Sequence, residues 1–199
     1  MLGTFSIACR VACFTLLLTG LAYPLLVTGL AQVLFPDKAN GSLVKDERGR
    51  EVGSELIGQR FSHPAYFHSR PSAAGETGYD ALASGGSNYG VASRKLRDRV
   101  ISDLESLKKQ NPEAAAQVPA ELLTASASGL DPHLSPAGVR WQLPRVARAR
   151  NAAPERIEAV VRDYTESRDL GFLGEPRVNV LLLNLALDRQ FGKAFGSEQ

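Results

Sequence analysis

The chain has 199 residues, enough for one or two compact units, and its 23 basic and 21 acidic side chains leave a formal charge of only +2. That near balance gives no electrostatic case for a nucleic-acid partner, which calls for a clustered basic patch or stripe. Both cysteines, Cys9 and Cys13, sit at the start of an apolar block, so the rest of the chain has no disulfide framework and no thiol chemistry.

Residues 1–10 read as a short N-terminal tail. From Val11 to Phe35 the sequence "VACFTLLLTGLAYPLLVTGLAQVLF" carries no charge. Crossing a hydrocarbon core of about 30 Å takes about 20 apolar residues, so residues 11–35 read as a transmembrane helix with length to spare for tilt. A cleaved signal peptide is the competing reading, with Arg10 as its basic start, but apolar character continues well beyond Ala22. Pro24 lies mid-span and is expected to kink the helix, with a neighbouring helix or a local adjustment re-satisfying the backbone. Thr19, Gly20, Pro24, Thr28 and Gly29 mark the expected packing face toward a partner helix, because small residues allow close approach. Lys38, Lys45, Arg48 and Arg50 follow the span. Their count favours a cytoplasmic C-terminal part, yet long domains translocate largely regardless of charge.

Residues 36–199 read as one soluble α+β domain. Pro36 ends the span and Asn40-Gly41 signals a turn. "GSLVKDERGREVGSELIGQRF" has short apolar runs between glycines and charges, as in small strands or a hairpin. Ser62 to Gly90 is a long loop rich in Gly, Ser, Ala and Pro, and its interleaved aromatics point to packing rather than disorder. A helix capped by Ser93 carries Leu96, Val100, Ile101, Leu104 and Leu107, and Pro112 stops it. Ser135-Pro136 opens another helix, with a break expected near Pro144. On that helix Arg140, Arg145, Arg148 and Arg150 read as a basic face, either solvated or set against an acidic partner surface. Pro154 opens a third helix. In "EPRVNVLLLNLALDRQF" strand and helix compete, and length favours a buried helix.

The constellations that carry chemistry are sparse. His63 and His68 lack the further ligands that structural zinc needs, so no metal site is expected. Ser87, Asp131 and His133 lack a nucleophile-elbow pattern, and Asp131 reads more simply as a turn organiser. The run Ser84, Gly85, Gly86, Ser87, Asn88 offers glycines that let backbone approach a phosphate. No lysine follows at P-loop spacing, so a complete nucleotide site on this chain alone is not expected. The alternatives are a compact loop or a partial site completed by another subunit.

Taken in order, "TGLAYPLLVTGLAQVLFP", "GSELIGQRF", "YFHSRPSAAG", "YDALASGGSNYG", "LLTASASGLDPHLSP", "WQLPRVARAR" and "VNVLLLNLALD" resemble the KdpC family, the small subunits of the bacterial Kdp potassium-transporting ATPase. The likeness covers essentially the whole chain. Tyr89-Gly90-Val91 and Ser126-Ala127-Ser128 depart from the family pattern in minor ways. The resemblance implies a single-pass protein of the bacterial inner membrane with its soluble domain on the outer, periplasmic face. It implies two partners: a channel-like potassium-translocating subunit, and a P-type ATPase subunit that carries the aspartyl-phosphate chemistry. ATP and potassium are then handled by the complex, and this chain has no cofactor and no catalytic site of its own. The family role is that of an assembly subunit and catalytic chaperone that raises ATP affinity. An outer domain cannot touch cytoplasmic ATP, so that effect would be allosteric. The alternative is direct contact with ATP on the partner, through the glycine loop with Asp131, His133 or Gln142.

Overall fold

The computed structural model describes residues 2–194, which divide into two compact units between Leu43 and Val44. The architecture is α+β, one long apolar helix and a domain with two small sheets.

The first unit is a helical rod: α1 (Leu2–Leu17), a π-helical turn (Leu18–Ala22) and α2 (Tyr23–Leu34). Residues 2–10, read above as a tail, continue the helix. The apolar run Gly3–Leu34 has 32 residues and a mean hydropathy of 1.9, so it is long and apolar enough to cross a membrane. Pro24 is absorbed without a break. The Tyr23 N–H donates to the Leu18 carbonyl, five residues back, and this widened turn makes room for the proline ring. Thr15 and Thr19 hydroxyls donate to carbonyls one turn earlier. Phe35 leaves helical geometry, and Pro36 then opens the single turn α3 (Pro36–Ala39).

In the second unit, β1 (Leu43–Lys45) and β2 (Glu51–Ser54) are hydrogen-bonded neighbours, as the alternating apolar and charged runs predict. Asp46 closes their turn by accepting from the backbone N–H groups of Arg48 and Arg50. The helix α4 (Arg94–Gln110) matches its periodicity, but the Ser93 side chain makes no capping bond and no residue of α4 is buried.

The core is built by α5 (Pro136–Ala149), α6 (Pro154–Asp163) and α7 (Val180–Phe191) against a three-stranded antiparallel sheet. Its strands are β3 (His133–Leu134), β4 (Thr165–Glu166) and β5 (Arg177–Asn179), in the order β3-β5-β4. Val139, Leu143, Val146, Ile157, Val160, Val161, Leu183 and Leu187 interlock there. Each such side chain contributes about 1.5–3 kcal/mol on burial. Ser135 caps α5 as its position suggests, accepting from the Gly138 N–H. The break expected at Pro144 does not occur: α5 runs through it. Arg140, four residues back, is exposed, so the carbonyl freed by the missing N–H lies on the solvent side of the helix. The closing segment resolves the competition both ways, with β5 for three residues and then a buried helix that Asn179 caps.

Candidate functional site

The glycine loop follows a 3-10 turn at Ala81–Ala83 that Asp80 caps through the Leu82 N–H. Its backbone is pressed against a second small-residue loop. The Gly85 N–H donates to the Ser128 carbonyl at 2.8 Å, and the Ser84 hydroxyl donates to the same oxygen at 3.0 Å. A Cβ on Gly86 would lie 3.0 Å from the Ala127 carbonyl oxygen. Gly129 sits at φ +69°, and a Cβ there would lie 2.7 Å from the Gly85 carbonyl oxygen. Glycine therefore serves close backbone approach here, and the first N–H of the supposed phosphate cradle is committed within the domain. Asn88 takes the left-handed φ of +51°.

Asp131 and His133 lie beyond that second loop. Asp131 accepts from the His133 backbone N–H and from Arg70 Nη1, both at 3.0 Å. Asp131, Arg70 and residues 126–128 line a cavity of about 600 Å3 that also holds Leu56 and Ile57. Among the described residues no hydrogen bond links Ser87 to His133, and no group of three or more His, Cys, Asp or Glu is placed to hold a metal.

Gln142 is elsewhere, buried on α5 at 2% exposure. Its Oε1 accepts from the His68 N–H at 2.9 Å and from Arg145 Nη2 at 2.8 Å, and its Nε2 donates to the His68 carbonyl at 2.9 Å. Asn184 on α7 does the same for Phe67, accepting from its N–H and donating to its carbonyl, each at 2.9 Å. Phe67 and His68, just beyond the turn that the Tyr66 N–H closes on the His63 carbonyl, thus pair with two carboxamides instead of a neighbouring strand. A carboxamide offers the donor and acceptor of a peptide group, which is why it can stand in for one.

Two arginines complete this grip and correct the expected basic face. Arg145 is only 4% exposed and donates to the carbonyls of Pro64 and Tyr66. Arg150 donates to the Ala65 carbonyl and pairs with Asp188 at 2.9 Å, stacking over the Tyr66 ring, whose hydroxyl donates to Asp188. Only Arg140 and Arg148 reach solvent, toward Glu158 and Glu113. Burial, with repulsion from Arg148, lowers the Arg145 pKa to about 10, and burial beside Arg145 lowers that of His68 to about 4. The sequence reading missed Asn184, Asp188 and the buried role of Arg145. The available signal was spacing, which puts Arg145 one turn beyond Trp141 and Gln142 on α5.

In the apolar helix, Thr19 and Gly20 lie in the π-helical turn, with Pro24, Thr28 and Gly29 in α2. A Cβ on Gly29 would meet nothing within 4 Å, so that face is open.

Residues 5–189 match the family model KdpC, described as the K+-transporting ATPase, c chain. A potassium-transporting ATPase KdpC subunit from Myxococcus xanthus is 64% identical over 96% of this chain and 90% of its own length. Its counterpart from Rhodospirillum rubrum is 57% identical over 88% and 90%, respectively. One from Koribacter versatilis is 55% identical over 87% and 88%. With an N-terminal helix able to span a membrane and a family match over nearly its whole length, the chain belongs to the KdpC family of potassium-transporting ATPase subunits.

Proposed function

We propose that this subunit acts without catalysis of its own. It stabilises the assembly of a channel-like potassium-translocating subunit with a P-type ATPase subunit, and it raises the ATPase subunit's affinity for ATP allosterically. In this reading the apolar helix packs into the membrane complex through the face bearing Thr19, Gly20, Pro24, Thr28 and Gly29. The second unit lies on the periplasmic side of the bacterial inner membrane. The observation that carries the reading is the dispersal of the candidate contact residues. Ser84 and Gly85 bond to a neighbouring loop, Asp131 bonds to Arg70, and the Gln142 amide is spent on His68 and Arg145. A subunit built this way influences a distant site through a coupling free energy, typically of about 1–3 kcal/mol.

Topology tests it. With Cys9 and Cys13 replaced by alanine, Leu82→Cys places a thiol at a position that is 99% exposed. A membrane-impermeant maleimide should label it in intact cells. Labelling only after lysis would put the domain in the cytoplasm and favour direct contact with ATP through residues 84–88. Under the allosteric reading, removing this chain from the complex raises the ATP concentration needed for half-maximal turnover by about 5–150-fold.

A further inference from the structure

A cavity of about 760 Å3 opens beside α5, and Arg60, Phe61, Pro64, His68, Arg145 and Arg148 form the part that matters here. Three of these six side chains are guanidinium cations. Arg145 is the unusual one. It is almost wholly buried, yet all of its bonds run to neutral groups: the Pro64 carbonyl at 2.5 Å, the Tyr66 carbonyl at 3.0 Å, and Gln142 Oε1 at 2.8 Å, with His68 Nε2 at 3.5 Å. Among the described residues no carboxylate pairs with Arg145, and none pairs with Arg60, whose Nη2 donates to the Thr77 carbonyl. His68 is held neutral by burial and by the charge of Arg145. Arg148 has Glu113 at 2.7 Å, but both side chains are about half exposed, so that pair is weak and easily exchanged. The wall therefore carries three positive charges against one exposed negative one.

A buried ion without a counter-ion costs stability, and a carboxylate brought against it offsets that cost. For a subunit of a transport complex, such a carboxylate is available from another polypeptide. We propose that this cavity receives an aspartate or glutamate side chain from another subunit of the complex, with Arg145 at its base and Arg60 and Arg148 at its mouth. Charge complementarity selects the carboxylate. Phe61 and Pro64 supply the apolar rim that excludes water from the pair, the arrangement that makes an interfacial ion pair count. The proposal rests on the assembly role given above.

Zero-length cross-linking of the purified complex in detergent tests it. Arg60→Lys and Arg148→Lys, made singly, place an amine at the cavity mouth, and a water-soluble carbodiimide joins an amine only to a carboxylate in direct contact. Each variant should give a new amide to another subunit, mapped by peptide mass spectrometry. Arg140→Lys, on the same helix but facing Glu158, should give none. Coupling of the introduced lysines only within their own chain, for example to Glu113, would overturn the proposal. So would no coupling at all. Charge reversal is the second measurement. Arg60→Glu combined with Arg148→Glu should lower retention of this chain in the complex at least tenfold at 0.3 M salt, without shifting its unfolding midpoint. Unchanged retention also counts against the site. If the unsubstituted chain itself fails to co-purify with the other subunits, the assembly role falls too. If it co-purifies and only these variants behave like it, the cavity proposal alone fails.

Discussion

Asn184→Ala probes the carboxamide grip directly. Phe67 is 0% exposed, and both its backbone groups are satisfied by the Asn184 side chain, each at 2.9 Å. Truncation leaves a buried N–H and a buried C=O without partners, at about 1–3 kcal/mol each, so the loss is about 4 kcal/mol. That is a large part of the 5–15 kcal/mol by which a domain is typically stable. Urea unfolding of the full chain in detergent, followed through its single tryptophan, Trp141, reads this as a midpoint lowered by about 2 M. A shift worth less than about 1 kcal/mol would refute the idea that segment 65–68 depends on side-chain pairing. The isosteric Asn184→Asp sharpens the test. A protonated carboxyl can still donate to the Phe67 carbonyl, whereas the ionised form would set a buried negative charge against that oxygen. The folded pKa is then raised above the unfolded value of about 3.9, so the variant is mildest near pH 4. It should lose about 1.4 kcal/mol for each pH unit above that, until its folded pKa is reached.

Arg150→Ala removes four donated bonds and strands Asp188 at 13% side-chain exposure, and should cost about 3–5 kcal/mol in the same assay. His68 gives a pH signature. Its pKa falls from 6.5 to about 4 on folding, so the unfolded chain takes up the proton first, and stability should drop by about 3 kcal/mol between pH 6.5 and pH 4. His68→Gln should flatten that slope, and an unchanged slope would assign it to other groups. Gly129→Ala meets the Gly85 carbonyl oxygen at 2.7 Å from a left-handed backbone, and should lower stability by about 2–4 kcal/mol in urea unfolding. Gly138→Ala meets only the end of the Glu121 side chain, at 2.1 Å. It should cost about 1–2 kcal/mol, chiefly by displacing that carboxylate from the Ser135 N–H and hydroxyl.

Much of the fold was legible because it is written in local periodicity. The apolar run, the helices after Ser93, Ser135 and Pro154, and the paired strands before Ser54 all follow from spacing of apolar side chains and from prolines and caps. The two-residue strands β3 and β4 were not legible, since a pair of residues has no period and their pairing is set by distant β5. The glycine run was recognisable as a place of close approach. What approaches it, the backbone of residues 126–129, is a tertiary fact. The arginines of α5 were misread because charge predicts exposure on average. Arg145 and Arg150 escape that average by finding carbonyls of a segment about 80 residues earlier.

The carboxamide grip on residues 65–68 also changes what this stretch offers to another chain. An extended segment normally shows a row of unpaired donors and acceptors on one side, a template on which another chain can add a strand. Here that row is spoken for by Asn184, Gln142, Arg145 and Arg150, projecting from the helices α5 and α7. The stretch leaves a turn at residues 63–66 and does not form an open edge. A helix face has taken the place of the next strand, so strand addition has no template along this stretch.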